Sequence, residues 1–206
     1  MKYIFIAGAP GSKWSSVSKN IYYSPDIDRT DYNENRLYYH DAMGTMELMH
    51  MGAYFDPGME FGSFFDQLSQ HTKQECEAEF DRPFTGKGVK IIKSHCFATQ
   101  IEFIKKTWPN CPIVLVHRGD DACLGWWVKC GHFDITYPLY HDYYKDLRTM
   151  AGIIKEQNKG ILEAWWKYQN PTVETNRQLA RALNIQSPPL EYEQNYVVSD
   201  IRVKVI

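Results

Sequence analysis

Residues 2–16 read KYIFIAGAPGSKWSS, and the fold is decided there. Lys2 to Ala7 form an apolar, β-rich run that stops at Gly8-Ala9-Pro10-Gly11. An unbroken apolar run of this length suits a strand covered on both faces, as in a parallel sheet. From Ser12 the pattern changes to SKWSSVSKNIYY, with hydroxyl side chains placed to cap a helix start. Strand, glycine-rich turn and helix is the order that builds an anion cradle. N–H groups at a helix N-terminus point at the ligand, and glycine lets the backbone approach it. Lys13 adds a point charge, and Ser12, Ser15 and Ser16 add hydroxyl donors. A tight strand-to-helix turn with no ligand is the plainer reading of the same residues.

Outward from this stretch, two more apolar runs read as strands, VKIIKSH (89–95) and CPIVLVH (111–117). The run IRVKVI (201–206) is strand-like as well. Helices are expected over 63–80, closed by Arg82-Pro83, and over IEFIKKTW (101–108). DDACLGWWVKC (120–130) reads as a largely buried helix, and two further helical segments cover 146–169 and 173–185. Residues 24–62 hold one short element and much loop, and 131–144 read as a loop. Strands alternating with helices indicate an α/β fold around a mainly parallel sheet.

Composition bounds the function. With 206 residues the chain suffices for one domain that needs no staples to fold. A formal net charge of −2 argues against coating nucleic acid or anionic membrane, so a bound anion must be held by a few well-placed cations. Cys76, Cys96, Cys111, Cys123 and Cys130 are odd in number and form no CxxC pair. That suits reduced thiols rather than a disulfide or zinc framework. The opening apolar run is too short for a signal peptide, and no run approaches the ~20 residues of a membrane span. The expected location is therefore cytoplasmic.

The turn is not the nucleotide-binding motif in which Gly-Lys-Ser/Thr stand in succession, because Ser12 precedes Lys13 and Trp14 separates Lys13 from Ser15. Instead, Pro10-Gly11-Ser12-Lys13-Trp14-Ser15-Ser16 resembles the 5′-phosphosulfate loop of sulfotransferases that use PAPS (3′-phosphoadenosine 5′-phosphosulfate). That loop reads Pro-Lys-Ser-Gly-Thr-Thr-Trp after the first strand. Lys93-Ser94-His95 is similar to the family's Lys-Thr-His element. Val116-His117-Arg118-Gly119-Asp120-Asp121 is similar to its 3′-phosphate segment, a hydrophobic strand followed by Arg-Asn-Pro-Lys-Asp. The three occur in the family's order and near its spacing, over residues 2–20 and 89–130.

The resemblance implies an α/β, three-layer fold like that of the P-loop NTPases, with a central mainly parallel sheet flanked by helices. It implies a single domain, 1–206, with substrate-side insertions at 38–88 and 131–145. The implied reaction moves a sulfuryl group from PAPS to a hydroxyl or amine of a small-molecule or carbohydrate acceptor, leaving PAP, without a metal. His95 is the implied base, Lys13 the cation at the bridging oxygen, and Lys93 a second cation near the sulfuryl oxygens. Pro10, Gly11, Ser12, Lys13, Trp14, Ser15 and Ser16 would hold the cofactor's 5′ end. Arg118, assisted from the position of Gly125, would fork onto its 3′-phosphate, a geometry Lys cannot copy.

The sequence departs from the family pattern in four places. The family's loop Lys falls on Gly11, its adenine-stacking Trp on Ser16, and its helix Ser on Gly125 after a one-residue deletion. The C-terminal Lys-Gly-x-x-Gly-x-Trp loop has no counterpart. Two other functions stay open. One is a P-loop kinase using Mg²⁺, for which Asp120 is the nearest strand-end carboxylate. The other is a PAP-binding module without turnover. Arg118 paired with Asp120 or Asp121 is the plainer reading of its segment, and Asp56 and Glu60 are the carboxylates to consider as base should His95 lie elsewhere.

Overall fold

The computed structural model describes residues 1–40, 47–129, 146–189 and 200–206. The first apolar run forms β1 (Tyr3–Gly8), every residue of which is buried. The glycine-rich turn leads to α1 (Trp14–Tyr22), and β2 (Leu37–His40) and β3 (Glu47–Met51) follow as a separate antiparallel pair. Then come α2 (Lys73–Asp81), β4 (Lys90–Lys93), α3 (Ile101–Thr107), β5 (Ile113–Arg118) and α4 (Asp120–Lys129). The last described elements are α5 (Leu147–Lys167), β6 (Thr172–Val173), α6 (Asn176–Leu183) and β7 (Ile201–Val205).

Five strands make one sheet in the order β4-β1-β5-β7-β6. β1 runs parallel to β4, with Ile4 opposite Ile91, and parallel to β5, with Ala7 opposite Leu115. β7 is antiparallel to both β5 and β6. The α/β class and the parallel centre therefore match the sequence reading, while the far edge makes the sheet mixed. Alternation along β1 sends Tyr3, Phe5 and Ala7 to one face and Ile4 and Ile6 to the other. The first face packs against α2, α3 and the C-terminal half of α5, and the second against α1, α4 and α6. Phe55, Phe61, Phe65, Phe80 and Phe84 all belong to the first cluster, so much of 38–88 is a wall of the core.

The expected single helix over 63–80 divides into a 3₁₀ turn, Phe65–Gln70, and α2. Between them His71 is extended, and Thr72 starts a new helix. Thr72 Oγ1 accepts the Glu75 N–H at 3.2 Å, while the Glu75 carboxylate accepts the Thr72 N–H at 2.8 Å. This reciprocal cap satisfies two orphan donors in mid-run and sets the break. The expected burial of α4 is also corrected. Only Cys123 and Trp127 are fully buried, at i, i+4, with Leu124 partly buried against the core beside them. No serine caps α1; its N-cap is Lys13, which makes no side-chain cap bond.

One buried cation closes a helix end. Lys204 on β7 is nearly fully buried and donates to the carbonyls of Trp165 (2.8 Å) and Tyr168 (3.1 Å), closing the C-terminal end of α5. Cys76, Cys96, Cys111 and Cys123 are buried and in no disulfide among the described residues; Cys130 and the loop expected at 131–144 lie outside the described residues. No helix among the described residues is long and apolar enough to cross a membrane.

Two glycines of α5 test the packing with opposite signs. In an open helix interior Gly→Ala stabilises by about 0.8–1 kcal/mol. A Cβ at Gly152 meets nothing within 4 Å among the described residues, whereas one at Gly160 would lie 2.2 Å from the Ala98 carbonyl oxygen. Urea unfolding should show Gly152→Ala more stable than the parent and Gly160→Ala less stable by more than about 1 kcal/mol.

Candidate functional site

The turn after β1 folds tightly back on itself. The Ser12 N–H donates to the Ala9 carbonyl at 3.0 Å, and a Cβ on Gly8 would sit 2.8 Å from Ser12 Oγ. Gly11 has φ +78°, and a Cβ there would lie 2.0 Å from the Cys123 carbonyl oxygen, so α4 rests directly on the turn. Lys13 takes a left-handed conformation (φ 60°, ψ 24°) and begins α1, whose first turn carries no acidic residue. Ser12 Oγ is fully buried without a hydrogen-bond partner among the described residues, an orphan that a ligand oxygen would satisfy. Pro10 and Trp14 are buried, and Gly11, Lys13, Ser15 and Ser16 are half-buried. An uncapped helix start, an orphan hydroxyl and close backbone approach suit an oxyanion.

Cations gather beside the turn. Arg118, at the end of β5, donates through Nη1 to the Gly11 carbonyl at 3.0 Å and through Nε to Asp200 at 2.7 Å. Its pairing is thus with Asp200, not with Asp120 or Asp121, and Nη2 has no hydrogen-bond partner among the described residues. Asp120 instead accepts from Asn158 Nδ2 at 2.6 Å. The Lys13 ammonium lies 4.1 Å from the centre of the Trp126 ring, with Lys129 Nζ at 5.5 Å and the Arg118 guanidinium carbon at 6.0 Å. Gly125 lies on the exposed face of α4, where a Cβ would meet nothing within 4 Å among the described residues, and the neighbouring Trp126 is the α4 ring that the Arg118 guanidinium approaches. The sequence reading did not single out Trp126, although the i, i+4 stripe through Cys123 and Trp127 leaves it outside the core.

His95 meets the turn from the other side. β4 ends at Lys93, Ser94 caps a 3₁₀ turn over His95–Thr99, and the imidazole Nδ1 lies 2.5 Å from the Gly8 carbonyl oxygen. A carbonyl only accepts, so Nδ1 carries the proton and the neutral ring keeps its lone pair on Nε2. The ring packs on Trp14 (4.6 Å between centres) and on the edge of Tyr54 (5.8 Å), with His50 4.9 Å beyond Tyr54. Burial pulls the His95 pKa below the usual 6.5, opposed by the nearby Asp56 carboxylate and by the Gly8 bond. The ring is therefore held neutral at neutral pH.

Lys93 turns away from the turn. Its side chain is fully buried, and Nζ donates to the Met51 carbonyl at 2.6 Å. Burial lowers its pKa to about 8, with Asp31 opposing the shift. Asp31 in turn accepts from the Ala53 N–H at 2.6 Å and the Tyr22 hydroxyl at 3.2 Å. The structure thus gathers Gly8–Ser16, His95 and Arg118 at one end of the sheet, while the Lys93 ammonium is engaged beneath it. Glu60 is held by Arg36 through two bonds, 2.9 and 2.7 Å. No family model, curated protein or solved structure matches the chain.

His117, beside Arg118, titrates in the same direction as His95. Arg202 Nη2 lies 2.9 Å from its Nδ1, and burial together with the Arg202 charge lowers its pKa to about 4. Below pH 6.5 the unfolded chain then binds protons that the folded protein does not, so stability falls as pH drops from about 6.5 toward 4 and is insensitive to these groups above that window. Urea midpoints for His117→Gln should decline less steeply than those of the parent between pH 6.5 and 4.

Proposed function

We propose that this chain transfers a sulfuryl group from PAPS to the hydroxyl or amine of a small-molecule or carbohydrate acceptor, leaving PAP, in a P-loop-like three-layer architecture. One observation carries the reading: the imidazole of His95 is hydrogen-bonded to the carbonyl of Gly8, the residue at which β1 enters the anion-cradle turn. Base and cradle thereby share one strand end. The resemblance of Pro10–Ser16, Lys93–His95 and Val116–Asp121 to the family's segments supports the same assignment.

Bound PAPS supplies a sulfuryl group on a phosphate leaving group. His95 Nε2 removes the acceptor proton as the acceptor–sulfur bond forms and the bond from sulfur to the bridging oxygen breaks, the electron pair staying with PAP. Burial keeps the imidazole neutral and ready to accept that proton. Gly11, Ser12, Ser15 and Ser16 orient the donor's oxygens with backbone and hydroxyl groups. Lys13, on a flexible stem beside the turn, stabilises the charge that develops on the leaving oxygen. Arg118, with Nη2 uncommitted among the described residues, takes the 3′-phosphate. Lys93 acts from below through its bond to Met51 and holds the β3 end in place.

The Mg²⁺-dependent kinase reading is less favoured, because Asp120, the carboxylate it would use, is bonded to Asn158. The test is a paired measurement on wild type and His95→Ala, PAP affinity by calorimetry and sulfuryl transfer to a panel of alcohols, phenols and amines. Turnover should fall by roughly 10²–10⁴ with PAP affinity nearly unchanged. Normal turnover in the variant removes His95 from the chemistry. PAP binding with no turnover in either protein would favour a binding module.

A further inference from the structure

Asp56 comes from the chain following β3 and is 1% exposed. Its carboxylate gathers donors from both sides of the site. It accepts from the Tyr54 hydroxyl (2.6 Å), the Ser94 hydroxyl (2.6 Å), the His95 N–H (3.1 Å) and the Cys96 N–H (3.4 Å). This arrangement exceeds what the 3₁₀ turn needs, because Ser94 Oγ already caps it by accepting the Cys96 N–H at 3.1 Å. Burying a carboxylate is costly unless it is well paired, and a neutral side chain would suffice to cap a short turn.

Its place relative to His95 gives the charge a use. The Gly8 carbonyl holds the imidazole at Nδ1 and Asp56 holds the His95 backbone N–H, so ring and main chain are each fixed by a bond. Among the described residues the groups against the ring are Trp14 from α1, Tyr54 from the β3 side, and Asp56, with His50 packed behind on Trp14 and Tyr54. The neighbouring Lys93 directs its ammonium to Met51. When His95 takes a proton, the imidazolium forms in a buried setting, and the Asp56 carboxylate is the negative charge acting on it.

We propose that Asp56 is the positioning residue of His95, fixing the backbone from which the imidazole projects and stabilising the imidazolium that forms there. This rests on the sulfuryl-transfer reading for its catalytic consequence, but not for its physical content. Asp56 is thereby distinguished from a base: its two oxygens are engaged by four donors beneath the site, and it acts through His95.

The test follows the His95 imidazole by ¹H–¹⁵N spectroscopy across pH in wild type and Asp56→Asn. Removing the carboxylate charge should move the His95 titration to lower pH. The acidic limb of the transfer rate should move with it, and turnover should fall by at least about tenfold, while PAP affinity holds. A folded Asp56→Asn protein with an unchanged His95 titration overturns the proposal, and so does a loss of stability alone. Should Asp56→Asn fail to fold, Ser94→Ala and Tyr54→Phe each remove one anchor of the carboxylate. In both, the Nδ1 proton held by Gly8 should exchange faster with solvent, and wild-type exchange in both overturns the proposal. If wild type transfers no sulfuryl group to any acceptor, the functional reading fails, while the imidazole titration still decides the role of Asp56.

Discussion

The bond between the Gly8 carbonyl and the His95 imidazole is the contact on which the site depends. It joins the ends of two neighbouring parallel strands, and it exists because β1 and β4 pair in one register, with Ile6 opposite Lys93. Slipping that register by one residue would turn the side chains at the end of β4 to the other face. In register, a buried ring has its N–H satisfied by the carbonyl of the last residue of β1. The same bond decides the tautomer and so leaves Nε2 as the basic nitrogen. Position, burial and proton affinity are thus set together by strand pairing.

Charge is arranged with similar economy. A chain of net charge −2 brings Lys13, Arg118 and Lys129 around one indole beside the turn. Arg118 also braces the turn through Gly11 and is itself steadied by Asp200. Were a phosphate to bind there, a guanidinium already held in place would reduce the ordering that binding must supply. The tight contact of Gly11 with the Cys123 carbonyl fixes α4, and with it Trp126, against the turn.

Much of this frame was legible in the sequence. The runs at 2–7, 89–95 and 111–117 became the three parallel strands because full burial on both faces requires unbroken apolar residues. The direction of β7 was not legible, since a short apolar run carries no sign of its pairing. The inward turn of Lys93 was readable in principle: period-two alternation puts it with Ile91 on the α1 side of the sheet, while Ile92 faces the other way. The break before α2 was also written in Thr72 and Glu75 three residues apart, the signature of a capping box. By contrast, nothing near Asp56 announces its role, because Ser94 and His95 lie 38 and 39 positions away. The Arg118–Asp200 pair is hidden for the same reason, with 82 positions between its members.

The turn and Arg118 together form the proposed site for a nucleotide bearing both a 5′ anion and a 3′-phosphate. It is tested most directly by calorimetric titration of the protein with PAP, adenosine 5′-phosphate and ATP with Mg²⁺. The site predicts that PAP binds at least about tenfold tighter than adenosine 5′-phosphate, the worth of one charge-assisted contact of ~1.4 kcal/mol or more, and without magnesium. Equal affinity for PAP and adenosine 5′-phosphate, or tighter binding of ATP that requires magnesium, would contradict it.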